Sequence, residues 1–285
     1  MTRRVALLGK PLRRRHSVVM HNAAFAAAGI DAEYILRELE PDEVEGAIAA
    51  ARGRDWLGLG VTAPYKQVVA EFVDEVEPDA QAIGAVNNIV RRDDGRLVGF
   101  NSDAPGFQAA VEAVLDRSIE GLDVVVAGGG GAAHAVVFTC LRAGARTVTV
   151  GNRTVEHAEA LATRIRGAGS GALEVVDLGG RGFADATERA GLAVNATTVG
   201  MLDPGMTIDV NLLRADAVVF DLVYVPPETP LVRAARARGL RAANGSEMLI
   251  QQGAIAFERW TGVAGMAGVM REAVAPLLAD VTVQA

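Results

Sequence analysis

Short apolar runs alternate along this chain with longer stretches in which the apolar residues recur at helical spacing. In the first third of the chain, the turn signal Asp93-Asp94-Gly95 stands between Asn88–Arg92 and Arg96–Phe100 and predicts a β-hairpin. The other elements predicted there are strands at Val5–Leu8, Ala32–Leu36 and Leu57–Val61 and helices at Val18–Ala28 and Pro41–Arg52.

A second series begins at Leu122, where predicted strands and helices follow one another regularly. This order is typical of a parallel sheet covered by helices on both faces, so the expected fold class is α/β. The tail predicts two helices, Glu247–Arg259 and Met266–Ala279, without a further strand. The strands of the series are Leu122–Ala127, Thr147–Val150, Leu173–Leu178, Leu192–Asn195 and Ala217–Asp221, and its helices are Ala132–Ala143, Val155–Arg166 and Pro230–Arg238.

Length and charge exclude several classes of protein. The chain has 285 residues, which at about 150 residues per domain predicts two domains. Its formal net charge is −7, so we expect no nucleic-acid partner. We also expect no membrane span, because no apolar run reaches ~18 residues, and no signal peptide at the start. Cys140 is the only cysteine, which excludes an internal disulfide and a cysteine-rich metal site. We therefore predict a cytoplasmic protein.

Lysine is scarce in this chain. Of the 28 basic residues, only Lys10 and Lys66 are lysines. Genome composition explains such a bias in general. Because lysine can give up its proton where arginine stays charged, each lysine is also a candidate proton donor.

A glycine-rich loop follows the strand that ends at Ala127. Gly128, Gly130 and Ala133 match the small positions of the pattern G-x-G-x-x-A between a strand and a helix. Such glycines let a pyrophosphate approach the helix N-terminus closely. The alternative is a plain flexible turn. The context favours a dinucleotide site.

The next strand ends at Gly151-Asn152-Arg153-Thr154, about 20 residues further on, where the adenosine ribose is expected. An NAD site would place an acidic residue there. Asn152, Arg153 and Thr154 instead offer a cation and neutral hydrogen-bonding groups, which suit a 2′-phosphate. The sequence therefore predicts NADP in preference to NAD, although Arg153 alone is also compatible with a solvated loop.

Nine short motifs occur in the order found in shikimate dehydrogenases, and through them the chain resembles that family over nearly its whole length. One such motif alone is weakly specific, whereas nine in order are very specific. They are His21–Phe25, Gly60–Lys66, Gly84–Asn88, Asn101–Asp103, Gly128–Ala132, Gly151–Thr154, Val194–Thr197, Asp221–Tyr224 and Met248–Gln252.

The resemblance implies a substrate-binding domain of residues 1–103 and 245–285 and a Rossmann-like NADP domain of residues 104–244. The C-terminal helices would then return to the first domain, and the substrate would lie in the cleft between the domains. The family reduces 3-dehydroshikimate to shikimate with NADPH.

The resemblance also implies that Lys66 and Asp103 are the catalytic pair. Reduction of a ketone creates an alkoxide, which a positioned ammonium group can stabilise and protonate. Asp103 would hold Lys66 and share the proton network. Without the motif, Lys66 would be interpreted as a surface residue and Asp103 as a helix N-cap.

Other family positions are implied to bind the two ligands. The substrate residues are polar groups suited to hydroxyls and a carboxylate, namely Ser17, Thr62, Asn87, Asn101, Tyr224 and Gln252. The cofactor residues are Gly128, Gly129, Gly130, Gly131, Ala132, Asn152, Arg153, Thr154, Asn195, Thr197 and Gly245.

The chain departs from the family pattern in two places that affect ligands. The family usually has a Ser-x-Ser pair after the first strand. Here Ser17 matches the second serine, but Arg15 stands in place of the first, within Arg13-Arg14-Arg15-His16. Arg15 could bind the substrate carboxylate or admit a more anionic substrate. His157 stands where many relatives carry a second cation, which weakens the expected phosphate clamp.

Three hypotheses follow from these residues. The first is an NADP-dependent shikimate dehydrogenase. The second is a paralogue acting on quinate, aminoshikimate or another anionic cyclohexane carboxylate. The third is a non-catalytic ligand sensor on the same fold. In each case we expect an anionic small-molecule partner, a monomer or homodimer and, without a His or Cys cluster, no metal.

Overall fold

The computed structural model describes residues 1–12, 15–116 and 118–279. The chain divides into two units, each with its own six-stranded sheet. One unit comprises Met1–Ser102 and Ile250–Leu277, and the other comprises Asp103–Leu249 and the two described residues after Leu277.

Strands and helices alternate along most of the described chain. The strands are β1 (Arg3–Gly9), β2 (Ala32–Glu38), β3 (Trp56–Val61), β4 (Glu75–Val76), β5 (Asn88–Arg91), β6 (Leu97–Phe100), β7 (Asp123–Ala127), β8 (Thr147–Asn152), β9 (Ala172–Asp177), β10 (Leu192–Asn195), β11 (Val218–Asp221) and β12 (Arg241–Asn244). The helices are α1 (His16–Ala27), α2 (Val44–Ala50), α3 (Pro78–Ile83), α4 (Asp103–Leu115), α5 (Gly131–Arg142), α6 (Val155–Ile165), α7 (Arg181–Arg189), α8 (Pro230–Ala237), α9 (Ser246–Thr261) and α10 (Ala267–Ala279), with 3₁₀ turns at Pro41–Glu43, Val68–Phe72 and Val210–Leu212.

The sheet of the first unit is mixed, with strand order β2-β1-β3-β5-β6-β4. β1 pairs in parallel with β2 and β3, and the predicted hairpin appears as the antiparallel pair β5 and β6. Trp260 of α9 packs against the centre of this sheet, where its indole Nε1 donates to the Ile89 carbonyl at 3.1 Å. A Cβ atom at Gly58 would lie 2.7 Å from the indole ring. Glycine at position 58 therefore lets α9 seat its tryptophan on the sheet.

The sheet of the second unit is entirely parallel, with order β12-β11-β10-β7-β8-β9. Successive side chains of its central strands are buried on opposite faces. On one face Val125 joins the core formed with Phe183 of α7 and Leu231 of α8. On the other face Phe107 of α4 meets Phe220 of β11 edge-on, with ring centroids 5.5 Å apart. Helices thus cover both faces, as predicted.

β7 and β10 lie side by side at the centre of this sheet. From β7 the chain continues outwards through β8 to β9, and from β10 it continues in the opposite direction through β11 to β12, so the strand order reverses between β7 and β10. In open α/β sheets, ligands bind at the carboxyl ends of the strands beside such a switch point. The glycine loop after β7 lies at this place. The topology therefore positions the candidate nucleotide site.

The structure differs from the sequence prediction at several elements. The predicted helix Pro41–Arg52 divides into a 3₁₀ turn and the shorter α2. β12 was not predicted, because its Arg-Ala-Ala-Asn sequence lacks β-branched and aromatic residues. α3 and α7 were also not predicted, and α4 was expected only as a helix of unstated length after Asp103. In α4, Pro105 and Gly106 obscure the helical pattern, although proline is tolerated in a first helical turn.

Candidate nucleotide-binding and substrate-binding sites

The glycine loop between β7 and α5 is shaped by close backbone contacts. Gly128 has φ +115°, its N–H donates to the Gly151 carbonyl at 2.8 Å, and a Cβ there would lie 3.0 Å from the Ala196 carbonyl oxygen. Gly130 and Gly131, in contrast, face open space where an added Cβ would meet nothing within 4 Å. Among the described residues, no side chain caps α5. The first-turn N–H groups and the open space therefore suit a pyrophosphate.

Asn152 at the end of β8 holds this loop in place. Its Oδ1 accepts from the Gly129 N–H at 3.1 Å, and its Nδ2 donates to the Thr154 carbonyl at 2.8 Å. Arg153, Thr154 and His157 beyond it are exposed. The described geometry thus suits a dinucleotide with a phosphorylated ribose: Asn152 braces the loop, and Arg153 presents a cation.

Asn195 and Thr197 follow β10 on the other side of the glycine loop. Asn195 is buried, and its Oδ1 accepts from both the N–H and the hydroxyl of Thr197, at 3.1 and 2.7 Å. The Asn195 side chain is therefore bonded inside the protein, and the residue shapes the loop around Thr197.

Gly245, which precedes α9, lies against the loop that follows β11. A Cβ at this position would lie 2.2 Å from the Leu222 carbonyl oxygen, closer than any real contact. Its N–H donates to the Val223 carbonyl at 3.3 Å. Tyr224, half-buried, lies in this same loop. Gly245 therefore permits the close approach of two backbones in the second unit.

Lys66 lies in a tight turn of the first unit that begins at Thr62 and includes the cis peptide Ala63–Pro64. The Thr62 N–H donates to the Leu8 carbonyl at 2.8 Å, and the Val86 N–H donates to the Lys66 carbonyl at 2.7 Å. Tyr65 is buried, and its hydroxyl donates to the Leu39 carbonyl at 2.5 Å. Bonds on both sides thus hold the turn, while Lys66 itself is half-buried.

A second polar cluster of the first unit is buried and centres on Ser102. The Ser102 hydroxyl accepts from Asn88 Nδ2 at 2.8 Å and from Asn87 Nδ2 at 3.2 Å, and it donates to Gln252 Oε1 at 3.3 Å. Asn87 Oδ1 accepts from the Ser102 N–H at 2.8 Å. Asn101 Nδ2 donates to the Ala85 carbonyl at 2.9 Å. The cluster brings Asn87 and Gln252 together.

The loop after β1 is tied to the end of β2 by acidic side chains. Lys10 Nζ bonds Glu40, and the Leu12 N–H donates to Glu38 Oε1. The Glu40 carboxylate raises the pKa of Lys10. Arg15 is exposed, and Ser17 is half-buried at the start of α1. The predicted basic residues Arg13 and Arg14 lie outside the described residues.

Asp103 is the first residue of α4 and is buried, with 9% of its surface exposed. It directly follows Ser102 in the chain. Sequence reasoning did not identify Ser102, Asn88, Asp221 or Thr229 as polar centres. Their common signal is a polar side chain at the first or last residue of a strand or just before a helix, which is also typical of ordinary capping.

Two features are absent from the part of the chain that the structure describes. No His, Cys, Asp and Glu side chains in the described ranges form a group of three that could hold a metal ion. None of the described helices combines the length and apolarity required to cross a membrane.

The parallel sheet, with its strand order reversing beside a glycine loop, defines a dinucleotide-binding protein of the Rossmann class. Family models refine this class. They match residues 7–89 as the shikimate dehydrogenase substrate binding domain, residues 110–181 as shikimate / quinate 5-dehydrogenase and residues 245–275 as the shikimate 5′-dehydrogenase C-terminal domain. The chain belongs to the shikimate dehydrogenase family, which confirms the resemblance found in the sequence.

Relatives match over almost the whole chain. The NADP(+) shikimate dehydrogenase of Symbiobacterium thermophilum is 43% identical and matches 94% of this chain and 92% of its own. The Thermus thermophilus shikimate 5-dehydrogenase, solved with NADP(H) and shikimate, is 36% identical, with a TM-score of 0.85 and coverage of 96% of this chain and 99% of its own. The quinate dehydrogenase of Corynebacterium glutamicum, solved with NAD, is 34% identical, with a TM-score of 0.89 and coverage of 96% and 99%.

Proposed function

We propose that this protein is an NADP-dependent oxidoreductase that reversibly reduces 3-dehydroshikimate to shikimate. The observation that carries the proposal is the 43% identity, over 94% of this chain, to a curated NADP(+) shikimate dehydrogenase. The open glycine loop and Arg153 at the end of β8 support the choice of NADP. The proposed domains then have separate tasks, with residues 1–103 and 245–285 forming the substrate-binding domain and residues 104–244 the NADP domain.

Lys66 and Asp103 carry the proton chemistry in this proposal. NADPH supplies the hydride when it is bound. As the ketone becomes an alkoxide, the Lys66 ammonium stabilises the growing negative charge and donates a proton to the oxygen. Asp103 orients Lys66 and shares its proton network. The backbone bonds on both sides of the Thr62–Lys66 turn support the role of Lys66, because a proton donor must be held in place.

The substrate is held by neutral polar groups. Hydroxyl groups of a cyclohexane ring require fixed donors and acceptors, which amides and hydroxyls provide. The Ser102 cluster supports this role for Asn87 and Gln252, whose amides it holds. The proposed substrate residues are Ser17, Thr62, Asn87, Asn101, Tyr224, Gln252 and Arg15.

The cofactor is held by the loops at the carboxyl ends of β7, β8 and β10 and by the turn before α9. Backbone N–H groups of the glycine loop bind the pyrophosphate, and Arg153 binds the 2′-phosphate. The proposed cofactor residues are Gly128, Gly129, Gly130, Gly131, Ala132, Asn152, Arg153, Thr154, Asn195, Thr197 and Gly245.

A second candidate is a relative of the same mechanism with a different acid, such as quinate, aminoshikimate or another anionic cyclohexane carboxylate. The specific observation in its favour is Arg15, exposed at the start of α1 where the family usually has a serine. A cation there could bind a carboxylate through charge-assisted hydrogen bonds. The fold likeness to a quinate dehydrogenase also keeps this candidate open.

The experiment follows the formation of NADPH or NADH by absorbance with purified protein, using NADP⁺ or NAD⁺ against shikimate or quinate. We expect fast NADP-linked oxidation of shikimate and a loss of about 10²–10⁴-fold in Lys66→Ala, with NADP⁺ binding retained. Lys66→Arg is the matched variant, because it keeps the charge but does not release the proton. Undiminished turnover in Lys66→Ala would overturn the mechanism. Turnover of quinate alone would select the second candidate.

We further propose a cytoplasmic enzyme that acts as a monomer or homodimer on an anionic small molecule, with no nucleic-acid or membrane partner. The net charge of −7 supports the exclusion of nucleic acid. Burial raises the pKa of the Cys140 thiol to about 12, which is typical of an unreactive structural cysteine.

A further inference from the structure

The carboxylate of Asp221 is completely buried at the end of β11. No salt bridge to it is found among the described residues, and three neutral donors surround it. Asn195 Nδ2 and the Val223 N–H donate to its Oδ1 at 2.8 and 3.0 Å, and the Thr229 hydroxyl donates to its Oδ2 at 2.6 Å. We propose that Asp221 is a positioning residue that holds the NADP loop after β10 and the substrate loop after β11 in one arrangement. This inference rests on the proposed function, which assigns Thr197 and Tyr224 to those loops.

The first step concerns the loop after β10. Asn195 and Asp221 are register partners on neighbouring parallel strands, so their side chains meet at the carboxyl edge of the sheet. Asn195 Nδ2 donates to Asp221 and also to the Val199 carbonyl at 3.2 Å. With the amide turned this way, Asn195 Oδ1 can accept from Thr197 and from the Thr207 hydroxyl at 3.1 Å. Asp221 thus sets the orientation of the amide that shapes this loop.

The second step concerns the loop after β11, residues 222–228, which carries Tyr224. Asp221 and Thr229 stand at its two ends, and the bond between them closes the loop. Thr229 also caps α8, since its hydroxyl accepts from the Val232 N–H at 3.2 Å. From the neighbouring strand, Asn244 Nδ2 donates to the Pro227 carbonyl at 2.6 Å. The Asp221 carboxylate therefore bonds Asn195, which shapes the loop after β10, and Thr229, which closes the loop after β11.

The third step concerns charge. Burial raises the pKa of Asp221, while the bonds from Thr229, Val223 and Asn195 oppose that rise. All three partners donate, which an ionised carboxylate can satisfy because it only accepts. A buried charge without a cation is a poor source of stability compared with an apolar side chain. Its structural effect here is the joint orientation of the two loops.

The test compares Thr229→Val with Thr229→Ser. Valine keeps the shape of threonine but removes the hydroxyl, whereas serine keeps the hydroxyl. Thr187→Val is the matched control, because Thr187 is a buried threonine of α7 in the same unit whose hydroxyl donates to the Phe183 carbonyl at 2.8 Å. Asp221→Asn removes the carboxylate but leaves the Thr229 cap of α8 in place. It therefore distinguishes the effect of losing the carboxylate from the effect of losing the cap.

We expect Thr229→Val and Asp221→Asn to raise KM for both NADP⁺ and shikimate about tenfold, the effect of losing a hydrogen bond to a charged group, with a smaller change in kcat. Amide hydrogen exchange in residues 196–207 should quicken in both variants. Thr229→Ser should restore wild-type values, and Thr187→Val should lose comparable stability without either effect. If Thr229→Val does not fold, Thr207→Val replaces it, because it removes one bond to Asn195 Oδ1.

Unchanged KM values and unchanged exchange in Asp221→Asn would overturn the proposal, as would equal effects in Thr187→Val. Failure of the proposed function is separable. If the wild-type protein does not oxidise shikimate, the function fails, while NADP⁺ titration by calorimetry and the exchange of residues 196–207 still decide whether Asp221 holds the NADP loop.

Discussion

Three asparagines at the candidate sites use their side-chain amides mainly to hold neighbouring loops. Asn152 bonds the glycine loop, Asn87 bonds Ser102, and Asn195 bonds Thr197. Such residues act by fixing the positions of backbone groups and hydroxyls that can face a ligand. In the proposed function, recognition of the 2′-phosphate therefore falls to the exposed side chains beyond Asn152, chiefly Arg153.

Arg153 and His157 lead to a prediction about cofactor choice. Arg153→Ala should raise KM for NADP⁺ about tenfold or more, because a charge-assisted bond to the phosphate is lost, and should leave KM for NAD⁺ nearly unchanged. His157→Arg should shift the preference further towards NADP⁺. Steady-state kinetics with both cofactors measures this. A parallel loss with NAD⁺ in Arg153→Ala would contradict the role, and Arg164→Ala on α6 is the control.

At the residue level, the sequence allowed the candidate positions to be identified but not the direction of their side chains. The motif Asn101–Asp103 marks three polar residues, and only the structure separates Ser102, buried in a hydrogen-bonded cluster, from its neighbours. Asp221 likewise lies in the recognised motif Asp221–Tyr224, but the sequence indicated no role for it. Hydrogen-bond partners distant in the chain, such as Ser102 and Gln252, depend on tertiary structure and leave no local pattern.

At the level of elements, two glycines in the second unit differ in the space that an added Cβ would find. Gly130→Ala adds a Cβ in open space with an extended backbone that alanine can adopt, so stability should stay near wild type while NADP⁺ binding weakens. Gly245→Ala places a Cβ 2.2 Å from the Leu222 carbonyl oxygen, so stability should fall by about 1–3 kcal/mol. Denaturant unfolding and NADP⁺ titration measure both. Unchanged NADP⁺ binding in Gly130→Ala would contradict the assignment of that space to the cofactor.

The packing of α1, β2 and α9 in the first unit makes stability depend on pH through His21. The imidazole is buried, its ring stacks 4.5 Å from Tyr34, and no described residue bonds its Nδ1. Burial lowers the pKa of His21 from 6.5 to about 3. The folded protein then keeps His21 neutral, while the unfolded chain binds a proton below pH 6.5. The contribution of neutral His21 to the free energy of unfolding should therefore be fully present above pH 6.5 and decrease as the pH falls towards 3.

His21→Leu tests this pH dependence. Between pH 6.5 and 4.5, the free energy of unfolding of the wild type should fall more steeply than that of the variant, by about 1.4 kcal/mol per pH unit. Urea denaturation at several pH values measures the difference. Parallel curves for the two proteins would show that His21 does not titrate on unfolding.

Whole elements were predictable where the apolar pattern was strong. The central strands of the parallel sheet agree with their predicted positions to within one or two residues, because they are buried on both faces and rich in valine. β12 at the sheet edge has a weak apolar pattern, and α7 is a short, mostly polar helix with few apolar residues, so neither stood out in the sequence. The strand order likewise depends on long-range pairing and could be expected only through the class of fold.

At the level of the whole molecule, two units with separate sheets should respond differently to the two ligands. NADP⁺ alone should slow amide exchange chiefly in the second unit, around residues 128–131 and 152–157. Shikimate alone should slow it chiefly in the first unit, around residues 62–66 and 87–90. A ligand that binds only the folded state at 100 times its Kd stabilises it by about 2.7 kcal/mol, so each should also raise Tm. At the same NADP⁺ concentration, Arg153→Ala should lower the stabilisation by NADP⁺ by about half and leave that by shikimate unchanged. Protection by NADP⁺ alone confined to the first unit would contradict the division of tasks between the units.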